Sequence, residues 1–361
     1  MSLLGIEREG GSPSPDSFGS GSTYTGRTHQ TTISGRVPAP RWASPWWLLF
    51  LGLAIAEVVA LGVREHRVPA ESDWSAAAEH VRARLDARDG KDAITVAPGW
   101  ADPLLRLYLG DRMSVRMSGR ADLDGYERLW VLSIRGARAA DAPVRQPDYT
   151  ETFGRVRVER YDLGRSTVLI DLVDALPTAR VERVLDGVPE PCALRTFPPS
   201  VLQGGLGGGV VAPRQRFQCD FERPWLWVGV TVIEALDLSP KRCIWTHPQG
   251  KEPIVVTYRQ VPLGQRIVLH GGLDYHDERD TNKAPVQLRV FVDGKEAADL
   301  THHDGDGMKR WEVDLRKTFG TAIPPTGELR LEVTTPEPFR RSFCWTGTVE
   351  SAAREETKEK P

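Results

Sequence analysis

The sequence predicts a single transmembrane helix, a small α/β domain and an all-β sandwich of the jelly-roll type, in this order along the 361 residues. Three observations support this prediction. One apolar run near the N-terminus is long enough to cross a bilayer. Helical and strand patterns alternate after it, and short strands separated by turn residues follow. We divide the chain into a disordered cytoplasmic tail at 1–44, the transmembrane helix at 45–63, the α/β domain with a linker at 64–184, the sandwich at 185–350 and a disordered charged tail at 351–361.

The apolar run is PWWLLFLGLAIAEVVALGV at residues 45–63. A spanning helix needs roughly 20 mostly apolar residues, and Trp46 and Trp47 are residues of the kind that anchor a helix end at the interface. The alternative is a cleavable signal peptide, which normally lies at the extreme N-terminus and ends in a small-residue cleavage site. The run has neither property, so we favour a membrane anchor.

The arginines around the run predict its orientation. Arg27, Arg36 and Arg41 precede it without nearby acidic residues, whereas Arg64 and Arg67 are interleaved with acidic residues. Loops rich in uncompensated basic residues stay in the cytoplasm. We therefore expect a single-pass protein of the plasma (inner) membrane, with the N-terminus cytoplasmic and the C-terminal domains extracytoplasmic.

The N-terminal tail has the composition of a disordered segment. Residues 1–44 are rich in glycine, serine, threonine and proline and show almost no apolar periodicity. Such a segment buries too little apolar surface to offset the entropy of ordering. We expect no folded domain before the apolar run.

The charge balance argues against a nucleic-acid partner. The chain has 47 Lys and Arg against 49 Asp and Glu, a formal net charge of −2. Proteins that bind nucleic acid carry a basic patch or a strongly basic domain. We predict no nucleic-acid binding.

All four cysteines follow the apolar run, in the part predicted to be extracytoplasmic: Cys192, Cys219, Cys243 and Cys344. In an oxidising compartment an even number of cysteines predicts two disulfides, and four cysteines allow three connectivities. Metal binding is the alternative. It is disfavoured because there is no C-x-x-C pair and the gaps are long.

The first part after the apolar run has mixed α/β patterns. The alanine-rich segment 73–85 predicts a helix, 93–97 a buried strand and 102–109 a second helix after a Pro-Gly break. Residues 128–134 and 155–161 predict further strands. Helix and strand alternate as in a small, partly parallel sheet.

The second part has the pattern of an antiparallel sandwich. Strands are predicted at 225–232, 254–258, 267–270, 287–293, 311–315 and 329–333. Asp293-Gly294, between two alternating apolar segments, is a strong hairpin signal.

Residues 72–162 resemble a known family. SDWSAAAEHVRARL, DAITVAPGWADPLLRLYLGD, GYERLWVLSI and FGRVRVERYDL are similar to the soluble extracytoplasmic domain of bacterial lipid-linked-sugar glycosyltransferases of the dolichyl-phosphate-mannose and aminoarabinose type. Those enzymes carry their catalytic acidic residues in loops of a multi-helix membrane domain. This chain has one predicted span, so the resemblance implies no catalytic residue here.

The predicted sandwich has a second resemblance. GLDYHDER, APVQLRVFVDGKEAADL and GELRLEVTT resemble a galactose-binding-like sandwich of the carbohydrate-binding-module type. The resemblance implies a fold that suits sugar binding, protein binding or scaffolding.

Two polar loops concentrate groups that bind ligands. The candidate residues are Asp274, Tyr275, His276 and Asp277 on the first loop and His303, Asp304 and Asp306 on the second. Asp304 and Asp306 are also the candidate calcium ligands, since calcium prefers carboxylate oxygens on flexible loops. The alternative is that both loops are merely solvated connections. No other metal or cofactor is predicted.

Several tryptophans are candidates for stacking on sugar rings: Trp225, Trp227, Trp245, Trp311 and Trp345. Strand alternation predicts that Trp225 and Trp227 share one face. A role in the hydrophobic core is the favoured interpretation for these residues.

The predicted function is a non-enzymatic, single-pass envelope protein whose extracytoplasmic sandwich binds a glycan or a protein partner. The alternative is a glycosyltransferase-related or glycosidase-like enzyme component that works with a multi-spanning partner. No residue order suggests a nucleophile with its base. We therefore favour the non-enzymatic role over the enzymatic alternative.

Overall fold

The computed structural model describes residues 46–65, 68–85, 90–198, 210–280 and 282–352. The predicted disordered tails lie outside these ranges, apart from residues 351–352. The chain divides into two compact units, Met1–Leu61 and Gly62–Pro361. The second unit contains all the strands described below.

The apolar run forms a helix. Helix α1 spans Trp46–Glu65, and its segment Trp46–Val63 is long and apolar enough to cross a bilayer. Every side chain of that segment is exposed. The helix is compatible with a single span and with a signal sequence.

The first elements of the second unit build a four-stranded sheet with helices. They are α2 (Glu71–Arg84), β1 (Asp92–Ala97), α3 (Asp102–Leu109), α4 (Val115–Ser118), β2 (Arg128–Ile134), β3 (Tyr149–Phe153) and β4 (Val156–Asp162). The strand order is β1-β2-β4-β3. Strands β1 and β2 are parallel, and the other pairs are antiparallel. The sheet is therefore partly parallel.

Local sequence explains the helices beside this sheet. Helix α2 buries Trp74, Ala77, Ala78 and Val81, whose spacing puts them on one helical face. Helix α3 has a proline in its first turn, and Gly110 follows its last residue as the C-terminal cap. Proline is common at the first position of helices and glycine just after the last one.

The remaining strands form two antiparallel sheets. The eight-stranded sheet contains β5 (Val168–Asp171), β8 (Ala193–Thr196), β9 (Gln215–Gln218), β10 (Trp227–Glu234), β11 (Pro240–Thr246), β13 (Arg266–Leu273), β16 (Lys309–Asp314) and β18 (Phe343–Glu350). The six-stranded sheet contains β6 (Arg180–Leu185), β7 (Val188–Pro191), β12 (Ile254–Pro262), β14 (Val286–Val292), β15 (Lys295–His302) and β17 (Thr326–Thr334). Short helices lie at Leu172–Ala175 (α5), Tyr275–Glu278 (α6) and Arg316–Phe319 (α7).

The main hydrophobic core lies between these two sheets. Leu269 and Trp345 of the eight-stranded sheet and Leu288 and Leu331 of the six-stranded sheet belong to one buried cluster. Inward-facing residues alternate with outward-facing ones, as in two sheets packed face to face. The β-sandwich is therefore confirmed. Strands β5 and β6 belong to it although they begin before residue 185, where the sequence places its start.

The hairpin predicted at Asp293-Gly294 joins β14 to β15. Both residues have positive φ, 47° for Asp293 and 74° for Gly294. A two-residue turn of this hand matches the twist of the flanking strands, and it favours aspartate and glycine because φ is positive at both positions. The prediction is confirmed.

The four cysteines form two disulfides, as predicted. Cys192 pairs with Cys219, and Cys243 pairs with Cys344. The second bridge links the neighbouring strands β11 and β18, and both of its cysteines are fully buried. The tertiary structure thus selects one of the three connectivities that the sequence allowed.

Candidate functional site

The two predicted loops lie together at one end of the sandwich. We call residues 274–278 and 303–306 the rim. The buried Glu278 carboxylate joins the two loops: its Oε1 accepts a hydrogen bond from the Leu273 amide at 2.9 Å, and its Oε2 accepts one from the Gly305 amide at 2.8 Å. The Nε2 atom of the buried His302 lies 2.8 Å from Oε1. The rim is therefore a single, internally bonded structure.

The carboxylates of the first loop support its backbone. Asp274 caps helix α6 by accepting hydrogen bonds from the amides of His276 and Asp277, at 3.0 and 3.1 Å. Burial, together with the charge of Asp277, raises the pKa of Asp274. Asp277 is itself buried and accepts a hydrogen bond from the Ser342 amide at 2.9 Å. Both aspartates thus hold the loop in shape.

The candidate calcium ligands of the second loop are paired with cations. Asp304 forms an ion pair with Arg341, and Asp306 lies 2.9 Å from Lys309 Nζ. Although burial opposes it, the hydrogen bond from Lys309 helps to hold the pKa of Asp306 below its usual range. No group of three or more His, Cys, Asp or Glu side chains in the described ranges is arranged to hold a metal ion. Both candidate calcium ligands are thus already engaged by cations of the protein.

Arg341 is a rim-supporting residue that sequence reasoning missed. Its side chain is only 1% exposed, and its partner Asp304 lies 37 positions earlier in the chain. No local pattern connects an arginine to a carboxylate at this distance. The one feature of the sequence that indicates such a partner is the acidic loop itself. Carboxylates that become buried against the sandwich need cations as partners.

The side chains that the rim exposes are mainly imidazoles. His276 and His303 are exposed, as is Asp306, whereas Tyr275 is half-buried. The Tyr275 hydroxyl accepts a hydrogen bond from Arg279 at 2.7 Å, and the guanidinium lies 5.2 Å from the ring centroid. Arg279 therefore already occupies part of the stacking surface expected of Tyr275.

The tryptophans divide into buried and exposed. Trp227, Trp245 and Trp345 are buried, and Trp311 is half-buried against the main core. Trp225 is 43% exposed. It precedes strand β10, which begins at Trp227, so strand alternation does not govern its direction. Core roles are confirmed for the three buried residues, while Trp225 offers a ring to solvent.

Trp225 belongs to an aromatic group beside the rim. Its ring centroid lies 4.9 Å from that of His247 and 6.0 Å from the Arg223 guanidinium. Burial lowers the pKa of His247, and the negative charge of Asp277 opposes this effect. His247 thus contacts Trp225 and lies within electrostatic range of a rim carboxylate. The exposed tryptophan and the rim form one candidate binding surface.

No protein-family model and no curated protein matches this chain. One similar solved structure is the CBM51 domain from Clostridium perfringens GH95 in complex with methyl-galactose, with 13% identity, a TM-score of 0.25 and coverage of 34% of this chain and 81% of that one. A second contains CBM51-2 in complex with GlcNAc and the INT domains from Clostridium perfringens ZmpB, with 16% identity, a TM-score of 0.26 and coverage of 48% and 37%. A third is the secreted serine protease VesC from Vibrio cholerae, with 15% identity, a TM-score of 0.21 and coverage of 29% and 20%.

These identities and TM-scores are too low to carry an argument about function. The chain also spans well under half the length of the ZmpB and VesC structures. Nothing found supports the resemblance of residues 72–162 to lipid-linked-sugar glycosyltransferases. The function is therefore argued from the candidate site itself.

Proposed function

We propose that this protein is a single-pass envelope membrane protein whose β-sandwich binds glycan beside the rim. The observation that carries the proposal is the exposed ring of Trp225 next to His247 and the rim loops. A sugar ring presents an apolar face that packs on an aromatic ring and hydroxyls that hydrogen-bond to nearby polar groups. Trp225 supplies the first contact, and the exposed His276 lies on the adjoining rim loop to supply the second.

The bonding of the rim carboxylates favours binding over catalysis. Asp274, Asp277, Asp304 and Asp306 each accept hydrogen bonds from the protein backbone. A general acid or base needs a proton-transfer atom that can reach the substrate. These carboxylates are already used to hold the loops, so they supply a rigid frame for recognition.

Replacing Trp225 by Ala should weaken glycan binding about fivefold without changing the melting temperature. A stacked aromatic ring contributes about 1 kcal/mol, and each 1.4 kcal/mol is a factor of about ten in affinity. Binding of the detergent-solubilised full chain to a glycan array, followed by calorimetry on each glycan found, measures the effect.

Trp100 provides a matched control for this substitution. It is 62% exposed and lies between β1 and α3, beside the four-stranded sheet. Trp100→Ala should leave glycan binding unchanged. Trp225 would be excluded from the site if Trp225→Ala bound glycan as tightly as wild type. The same conclusion would follow if Trp225→Ala and Trp100→Ala lost equal glycan affinity.

We also propose that α1 crosses the membrane with the N-terminus in the cytoplasm. The arginine asymmetry around the span supports this orientation, and the two disulfides suit an oxidising compartment on the other side. Protease added to intact spheroplasts should therefore digest the C-terminal part and spare the N-terminal tail. Digestion of the tail alone would reverse the orientation, and release of a soluble protein lacking residues 1–63 would identify the helix as a signal peptide.

A further inference from the structure

A cleft of about 350 Å³ lies between the segment 116–126, which leads into β2, and the eight-stranded sheet. Strands β13 and β18 contribute Val268, His270 and Thr346 to its lining. Its volume is within the range of small-molecule sites, roughly 300–1,000 Å³. None of the rim residues lines it, so this cleft is separate from the proposed glycan surface.

His270 is a buried polar group that lines this cleft. It is 5% exposed, and among the described residues its polar contact is Asp122, with 3.5 Å between Nε2 and Oδ2. Burial, with the positive charge of Arg310 adding, lowers its pKa to about 4. The ring is therefore neutral near pH 7, and a neutral imidazole can donate one hydrogen bond and accept another.

Asp122 carries a negative charge that the protein balances poorly. Its Oδ1 accepts a hydrogen bond from the Asp124 amide at 2.9 Å. The nearby Asp124, Glu312 and Glu350 add three carboxylates, and the surrounding cations are Arg266, Arg310 and Lys241.

The surrounding cations are committed to other acceptors. Arg310 lies 3.2 Å from Asp124, and Arg266 lies 2.6 Å from Glu350. Lys241 donates to the Arg120 carbonyl at 3.4 Å. Four carboxylates thus face three cations, and Asp122 has the neutral His270 in place of a cation.

Burial and the surplus of negative charge both act on the pKa of Asp122. Burial raises its pKa to about 6, and the charges of Asp124 and Glu350 act in the same direction. The Asp124 amide and Arg310 oppose the shift only in part. Near pH 7 the carboxylate is mostly ionised at an energetic cost, which a ligand cation would relieve.

The opposite side of the cleft does not share this surplus. Arg116 and Arg242 both lie 2.9 Å from Asp174, and Arg116 also approaches Asp171. Two guanidinium groups therefore meet two carboxylates there. The other described cations that line the cleft, Lys91 and Arg120, are paired with Glu127 and Asp141. That side therefore offers no net charge, and the attraction for a charged ligand comes from Asp122.

We propose that this cleft binds a small ligand that carries one primary ammonium group on a hydroxylated skeleton, as an amino sugar does. The ammonium contacts Asp122, where it supplies the missing cation and up to three donors. A neighbouring hydroxyl contacts the neutral His270 ring. The Thr346 side chain supplies a further hydroxyl group, and Val268 packs against the carbon skeleton.

The test uses glucosamine as the probe and the full chain in detergent. Calorimetry near pH 7 should detect binding of glucosamine, and glucose and N-acetylglucosamine, which lack the cation, should bind at least tenfold more weakly. Asp122→Asn should weaken glucosamine binding at least tenfold. Asp162→Asn is the control, because Asp162 is an exposed carboxylate paired with Arg160 outside the cleft. This control should bind glucosamine like wild type.

A pH series gives a second readout. Glucosamine affinity should fall as the pH is lowered through about 6, because Asp122 then takes up a proton. The same carboxylate should affect folding, since its pKa is higher in the folded than in the unfolded chain. Folded protein then loses stability as the pH rises from about 4 to about 6. Asp122→Asn should therefore raise the melting temperature near pH 7, and the gain should vanish near pH 4.

Three results would overturn the proposal. They are equal glucosamine binding by Asp122→Asn and wild type, glucose binding as tight as glucosamine binding, and a melting temperature that Asp122→Asn lowers near pH 7. Trp225→Ala should leave glucosamine binding unchanged. A result that contradicts ligand binding in the cleft can thus be distinguished from one that contradicts glycan binding at Trp225.

Discussion

Replacing Asp304 by Ala should destabilise the protein by about 3–5 kcal/mol, because it leaves a buried arginine without its counterion. Asp304 is the ion-pair partner of Arg341, whose side chain is only 1% exposed. The Nε and Nη2 atoms of Arg341 have no hydrogen-bond partner among the described groups. Among the described residues, no other acceptor is in place to take over the charge. Urea unfolding of the full chain in detergent, followed by far-UV circular dichroism, measures the loss.

Two variants separate charge burial from general damage to the loop. Asp306→Ala removes a carboxylate from the same loop, but its partner Lys309 is 40% exposed, so the loss should stay below about 1 kcal/mol. Combining Asp304→Ala with Arg341→Met removes both charges and should recover most of the stability. If Asp304→Ala costs no more than Asp306→Ala, the ion pair is not a support of the rim.

Removing the Cys243–Cys344 disulfide by a double substitution to Ala should cost about 4–5 kcal/mol. The two cysteines are 101 positions apart, and a cross-link that closes a loop of this length restricts the unfolded chain strongly. Both residues are fully buried, so the substitution also removes packed sulfur atoms. The melting temperature and the urea midpoint of the non-reduced variant and wild type measure the loss.

The second disulfide is an internal comparison. Cys192 and Cys219 are 27 positions apart, and the same argument gives about 3–4 kcal/mol for their removal. The Cys243–Cys344 variant should therefore be the less stable of the two. The reverse order, or free thiols in the denatured and unreduced wild type, would contradict the assigned pairing.

Local sequence predicts part of the secondary structure of this protein, including nine of the eighteen described strands. The predicted helix at 102–109 and strand at 128–134 agree with the structure at both ends, and the Asp293-Gly294 hairpin forms where predicted. These features depend on residues that are close in sequence, such as alternating apolar side chains, a proline in a first turn or a glycine with positive φ.

The partners of the site residues depended on contacts between distant segments. The sequence showed that loops 274–277 and 303–306 are polar, but only the tertiary structure places both beside the buried Glu278. It also pairs Asp304 with Arg341, so that this carboxylate supports the rim. Sequence spacing carries no information on such pairs, because their distance is decided by how the sheets pack.

The exposure of the tryptophan side chains was also decided by tertiary packing. Strand alternation predicted that Trp225 and Trp227 share one face. In the structure strand β10 begins only at Trp227, and Trp225 before it is exposed to solvent while Trp227 is buried. Asp122 and His270 lie in unrelated segments, and they share a cleft because segment 116–126 packs against the eight-stranded sheet. Composition and local pattern thus determined the apolar helix, nine of the eighteen described strands and the number of disulfides. The pairing of cysteines, the ion pairs and the cleft were decided by tertiary packing, since burial and counterion supply are properties of the folded chain as a whole.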